Sequence, residues 1–201
     1  MSEMGAFIRL GLMHITDLQG MDHILFLFAL AAIYRPRDWR DALWVVTAFT
    51  VGHSITLALA VTGAIRLPTP LIEFLIPITI VATCIENIVV RERERAPWGG
   101  NYRPVFAGVF GLVHGAGFAN YLRDLFTDHI ALPLLGFNIG IELGQVVVLT
   151  AAAALLLAAD WVIARLRVSS AWPSALRIRV MTVSLLVMAV AARWAVERNP
   201  W

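Results

Sequence analysis

Two histidines and two carboxylates fall within the ten residues HITDLQGMDH, positions 14–23, between the apolar runs GAFIRLGLM and ILFLFALAAIY. Imidazole nitrogens and carboxylate oxygens together suit borderline divalent metals. Ionisable groups in apolar surroundings are costly, and they persist where they pair, bind an ion or line a wet cavity. The stretch carrying His14, Asp17, Asp22 and His23 therefore reads as the entrance and first wall of an intramembrane metal site. His53 and His114 lie inside later apolar runs, as do Glu86 and Glu142, whereas His129 falls in a polar loop. A single buried histidine is more often a hydrogen-bonded packing residue than a ligand, so the metal reading rests on several arriving together.

Depth is the property that would let them meet. His23 is eleven residues from Tyr34, His53 twelve from Asp41, His114 ten from Pro104 and Glu142 ten from Leu132. At ~1.5 Å per helical residue, all four come near the midplane of a ~30 Å hydrocarbon core. Glu86, five residues from the inner end of its run, would sit lower as an exit ligand. Helical spacing aligns Asn138, Glu142 and Gln145 on one stripe, Thr79, Thr83 and Glu86 on another, and Thr50, His53 and Ser54 on a third. Interhelical hydrogen bonding explains the threonines and amides equally well. It explains the acids poorly, because no arginine is expected at that level to neutralise them.

The elements that must position these groups are helices in a bilayer. Of 201 residues, 59% are apolar and 15% charged, with a mean hydropathy of +0.75. That composition excludes a soluble globule and fits one integral membrane domain over residues 1–201. A net charge of +2 gives no case for nucleic-acid binding. All sixteen basic residues are arginine, which excludes a P-loop lysine and a lysine Schiff base. Cys84 is the only cysteine, so there is no internal disulfide and no thiolate cluster, and a Cu(I) site is disfavoured. The segment MSEMGAFIRLG has no signal-peptide pattern, and the chain is expected to be unprocessed.

Six apolar segments, near 6–34, 41–63, 69–91, 104–123, 132–161 and 177–196, predict an all-α bundle of about six transmembrane helices. The first is expected to break near Gly20, as a discontinuous helix would. The last, with only Thr182 and Ser184 as polar residues, is expected to be structural and lipid-facing. Loops 35–40, 91–103 and 162–179 carry eleven arginines against five elsewhere, which predicts those loops in the cytoplasm and both termini outside. Pro77 predicts a kink in the third helix. Gly111 and Gly115, and Gly136, Gly140 and Gly144, form small-residue stripes that permit close helix contact, within one chain or in a homodimer.

GMDHILFLFAL, FTVGHSITL, IEN, FGLVHGAGFA and FNIGIELGQ together resemble the HupE/UreJ family of small membrane proteins, across most of the first five segments. The resemblance implies a bacterial inner-membrane protein of about six spans with a role in nickel or cobalt supply. By position it implies His14, Asp22, His23, His53, Glu86, His114 and Glu142 as metal-handling residues. The chemistry of the ligand set leaves Ni²⁺, Co²⁺, Zn²⁺ and Fe²⁺ open. The leading reading is a permease in which His14 and Asp17 capture the ion, Asp22, His23, His53, His114 and Glu142 coordinate it at mid-depth with Asn138 and Gln145 on the same stripe, and Glu86 passes it inward. The alternative is an intramembrane metalloenzyme, a zinc hydrolase or an iron or copper redox protein, with Asp22, Glu142 or Ser54 as the chemical partner of the metal.

Overall fold

The computed structural model describes residues 2–18, 20–91, 100–125, 130–166 and 173–201, with side chains for all of these except 119–125. His129, Arg93, Arg95 and Arg167 lie outside the described residues. Among the described residues the chain is all-helical, with α1 (Glu3–Thr16), α2 (Asp22–Ala31), α3 (Trp39–Val61), α4 (Thr69–Val90), α5 (Arg103–Leu125), α6 (Ala131–Leu166) and α7 (Ala175–Glu197). A short 3-10 turn over Pro36–Asp38 leads into α3.

Local sequence accounts for most of the boundaries. The hydroxyls of Ser2 and Ser174 accept from the main-chain N–H groups of Gly5 and Arg177 at 3.3 and 3.2 Å, capping α1 and α7. Pro68 and Pro70 open α4, where a missing N–H costs nothing. Beyond the end of α3 the chain reverses through Gly63 at φ +76°, a conformation that a side chain would strain.

Four helical stretches are long and apolar enough to cross a membrane: Pro36–Val61, Thr69–Val90, Ala131–Leu166 and Ala175–Glu197. At 10 residues α2 is only ~15 Å long, half of a hydrocarbon core. The first apolar segment is thus two helices, and these pack in succession along α6. Gly136 approaches Met4, Gly140 approaches Ile8 and Gly144 approaches Ile15, after which Ala31 of α2 clusters with Ala152 and Leu156.

Two helix pairs run parallel at backbone contact. On α3 and α5, a Cβ at Gly52 would collide with the carbonyl oxygen of Gly108, and one at Gly111 with that of Phe49. On α1 and α6 the relation repeats: Gly11 meets the carbonyl of Phe137, and Gly140 that of Ile8. Without side chains at these points the backbones close on each other, which maximises dispersion contact where lipid supplies no hydrophobic drive. The glycine stripes are therefore filled by the chain's own helices. Gly111→Ala is expected to cost about 1–3 kcal/mol, the range for forcing a methyl group into a packed interface. Gly20→Ala is the control, since a Cβ there meets nothing within 4 Å. Denaturation midpoints of the two variants in detergent check this.

α7, expected to be structural and lipid-facing, has a buried face as well as an exposed one. Leu176, Arg179, Val180, Ser184, Val187, Ala191 and Ala195 are buried, while Leu185, Leu186 and Val190 are exposed. The buried face packs antiparallel on α4, with Trp201 against Phe74 at 5.5 Å. Arg179 donates to the carbonyls of Ala32 (3.0 Å) and Tyr34 (2.8 Å) just past α2, and to Asp160 of α6 (2.5 Å). One guanidinium so joins three elements.

Candidate metal centre

Four helices each contribute one histidine to a common point. His14 comes from the last turn of α1, His23 from the first turn of α2, His53 from the middle of α3 and His114 from the middle of α5. The broken first segment explains how two histidines nine residues apart can face each other: the chain turns between α1 and α2, and the rings of His14 and His23 meet edge to face at 4.7 Å. The His53 ring lies 6.1 Å from both, and the His114 ring 5.2 Å from that of His23. The close contact of Gly115 with the backbone of His53 brings α3 and α5 near enough for this.

One nitrogen from each of His14, His23 and His53 lies within 4.8 Å of the other two, a spacing that one cation can bridge. Among the described residues these three are the histidine, cysteine and acidic side chains so grouped. His53 and His114 are 0% and 1% exposed, and His23 is 8% exposed. Even so, His14 Nε2, His23 Nε2, both nitrogens of His53 and His114 Nδ1 have no hydrogen-bond partner. A buried polar atom without a partner costs roughly 1–3 kcal/mol. These unpartnered atoms lie on four neighbouring rings, and each neutral ring can offer one lone pair, so a cation between the grouped nitrogens of His14, His23 and His53 accounts for them better than packing does.

The remaining nitrogen of His114 has a partner. Thr79 Oγ1 lies 2.7 Å from the carbonyl of Ile76, to which its one proton is donated, and 3.0 Å from His114 Nε2. Toward the ring the hydroxyl can only accept, so Nε2 carries the hydrogen and Nδ1 presents its lone pair. Such outer hydrogen bonds fix the tautomer of metal-binding histidines. Phenylalanines close the surroundings. Phe118 covers His14 at 4.0 Å and stacks on Phe137 at 5.4 Å, while Phe49 and Phe26 lie 5.1 and 5.7 Å from His114.

The other expected residues are placed differently. Asp17 caps the end of α1 and acts electrostatically on His14. Asp22 receives both its bonds from Arg198 at 3.3 Å. Glu142 faces the hydroxyls of Thr47 and Thr50, and Gln145 accepts from Thr50 at 2.8 Å. Asn138 has a buried Oδ1 without a partner. Glu86 accepts from Tyr102 and forms an ion pair with Arg103, which also reaches Asn87 Oδ1 at 3.0 Å. Burial and the Glu86 carboxylate raise the Tyr102 phenol above its ordinary pKa, so it stays a donor. The expectation that no arginine neutralises the embedded acids is corrected here: Arg103 serves Glu86 and Arg198 serves Asp22. Long arginine side chains reach inward from helix ends, which residue counting along the helix does not register.

Sequence reasoning passed over Arg103, Tyr102 and the phenylalanine collar. Arg103 was expected only as a cytoplasmic loop charge. The signal available for the collar was the presence of Phe26, Phe49 and Phe118 within four residues of a histidine of the cluster. The sequence model of one protein family, described as HupE / UreJ protein, matches residues 1–198. No curated protein and no solved structure matches the chain.

Proposed function

The chain belongs to the HupE/UreJ family, and from that premise we propose that it is a permease for nickel or cobalt whose path runs through the histidine cluster. The family implies a metal transport or accessory membrane protein, and the observation that carries the finer reading is the set of five unpartnered buried imidazole nitrogens. In this reading His14, His23 and His53 hold the ion, and His114 completes the set through Nδ1. Neutral imidazoles suit these metals and leave the charge of the dication uncompensated. That limits affinity, as release requires.

The spans read as six crossing units. α1 and α2 together form one discontinuous crossing, supported by their successive packing on α6. α5 is another, supported by its 23 residues and its parallel course beside α3. The arginine bias puts both termini outside the inner membrane. Asp17 and Asp22 lie at the break between α1 and α2, where an ion would enter. The amide and acid stripe of Asn138, Glu142 and Gln145 lies along α6, where it would steer the ion or position helices. Inward of the cluster, a cavity of about 70 Å³ is lined by Phe26, Thr83, Phe110, Glu86, Tyr102 and Arg103. The phenylalanines separate it from the histidines, and Glu86 would receive the ion on the inner side once freed from Arg103. In this reading the path is closed by Phe118 beside His14 and by Phe26 beside His114.

The test is entry of Ni²⁺ or Co²⁺ into proteoliposomes with an entrapped metal-sensitive dye. Saturable entry with wild type, lost with His23→Ala, supports the permease. Metal retained stoichiometrically with no entry would replace it with an enzyme or sensor. Thr79→Val is expected to lower metal affinity by ~10–100-fold, the usual cost of losing an outer partner of a metal-binding histidine. Thr79→Ser should restore it, and competition against a chromophoric chelator measures both.

A further inference from the structure

Asp22 opens α2 one residue before His23, and Arg198, just past the end of α7, holds its carboxylate. The pair is loose. A single nitrogen, Arg198 Nη1, lies 3.3 Å from each carboxylate oxygen, longer than a usual N–H···O bond. Two other arginine–carboxylate pairs that join helices are tighter. Arg179 meets Asp160 at 2.5 Å, and Arg103 grips Glu86 through two nitrogens. Those two arginines are 3% and 7% exposed, whereas Arg198 is 32% exposed. Solvent therefore screens the Arg198 pair most, and it opens at the least cost.

The two ends of α2 are held unequally. At its C-terminal end Asn87 donates to the carbonyl of Ala29 at 2.7 Å, and Arg179 to those of Ala32 and Tyr34. Both donors are buried. Its other end meets the turn from α1, where Leu18 and Met21 are exposed and a Cβ at Gly20 would meet nothing within 4 Å. That turn leads to the cluster, since His14 precedes it and His23 follows it.

Arg198 also has a second resting place. Its guanidinium lies 5.2 Å from the centre of the Trp194 ring, one turn back on α7, a contact that does not need the carboxylate. Asp22 is not among the side chains grouped within 4.8 Å of one another around the histidines. Its carboxylate is thus placed to act on an ion in transit rather than on a lodged one.

We propose that Arg198 is an entry latch on the Asp22 carboxylate. It occupies the carboxylate and repels cations from the turn; an arriving dication takes its place, passes to His23, and the pair closes behind it. At equal distance a doubly charged ion attracts the carboxylate about twice as strongly as one guanidinium does. Arg198 meanwhile stays on Trp194. The inference deepens the permease reading and rests on metal occupying the histidine cluster.

The test is Co²⁺ exchange by the full chain in detergent, followed in stopped flow by the visible absorption of the bound ion. Association is read after mixing with Co²⁺, and dissociation after a chase with excess EDTA. Arg198→Gln is expected to speed both by about tenfold, the low end of electrostatic effects on association, with Kd within about threefold of wild type. Asp22→Asn breaks the same pair from its other side, yet it should slow association, because the stepping stone is lost. A merely structural ion pair would shift both variants the same way. Shifts of the same sign, or rates indifferent to Arg198→Gln, would overturn the proposal. So would a tighter Kd with an unchanged dissociation rate, which would make Arg198 a repelling charge and nothing more. If Arg198→Gln does not fold, Asp22→Asn decides, since it strands only a partly exposed guanidinium. Association at the wild-type rate in that variant overturns the latch. Binding without entry into proteoliposomes would end the permease and leave these rates readable, whereas no binding at all would end both.

Discussion

Replacing His53 by leucine is expected to abolish metal binding and, in the same protein, to raise the stability of the metal-free fold. Both ring nitrogens of His53 are buried and unpartnered, so the metal-free protein carries their desolvation with no compensating bond. Substituting an apolar side chain of similar size removes that cost, a gain of about 1–3 kcal/mol. Metal affinity should fall by more than ~100-fold, beyond the range for losing an outer-shell partner, because one of three bridging ligands disappears. Chelator competition reads the first effect and denaturation in metal-free buffer the second. A packing role for His53 predicts the reverse pattern, with lower stability and unchanged metal titration. Function sited in a destabilised spot is the usual form of the stability–activity trade-off.

Arg103→Ala is expected to be the most destabilising single change at the inner end of the bundle. Arg103 donates through Nε to Glu86 Oε1 at 3.1 Å, pairs with the second carboxylate oxygen, and reaches Asn87 Oδ1. Asn87, fully buried, in turn donates to the carbonyl of Ala29 at 2.7 Å, so the network joins α5 to α4 and α4 to α2. Removing one partner of a buried pair leaves the other charge uncompensated. The loss should be ~3 kcal/mol, the low end of the range for such deletions. Glu86 retains 28% exposure, so water partly screens its charge. The double variant Glu86→Gln with Arg103→Ala should recover much of the loss, since neither charge is then stranded. A double-mutant cycle by chemical denaturation measures the coupling. Additive losses would show that the pair is not energetically linked.

The two predictions bear differently on transport. In the proposed path the Arg103–Glu86 pair must open for the ion to leave, so its strength is part of the barrier at the inner end. The His53 ring never has to break a bond within the protein to accept a metal.

Much of this was legible in the linear chain. Hydropathy and the length of the apolar runs were enough to reach a helical membrane protein, because a spanning helix must satisfy its backbone internally and present apolar side chains over a fixed length. The convergence of His14, His23, His53 and His114 was expected in part, since residues at equal depth on different helices can meet. The polar interruption at positions 14–23 is where α1 ends, at Thr16, and α2 begins, at Asp22. Gly111, Gly115, Gly136, Gly140 and Gly144 announced close packing, though Gly52 went unread because its neighbours four residues away are Ala48 and Thr56 and not glycine.

What the order of residues could not convey was partner choice at distances longer than a helical turn. Asp22 and Glu142 share the depth of the histidines by residue count and Glu86 was expected lower, yet Asp22 turns to Arg198, Glu86 to Arg103 and Glu142 to the threonines of α3. Depth along a helix is set by rise per residue and is therefore written in the sequence. Azimuth, and the reach of an arginine from the next helix, depend on how backbones close over glycine, and that is decided only when the helices pack.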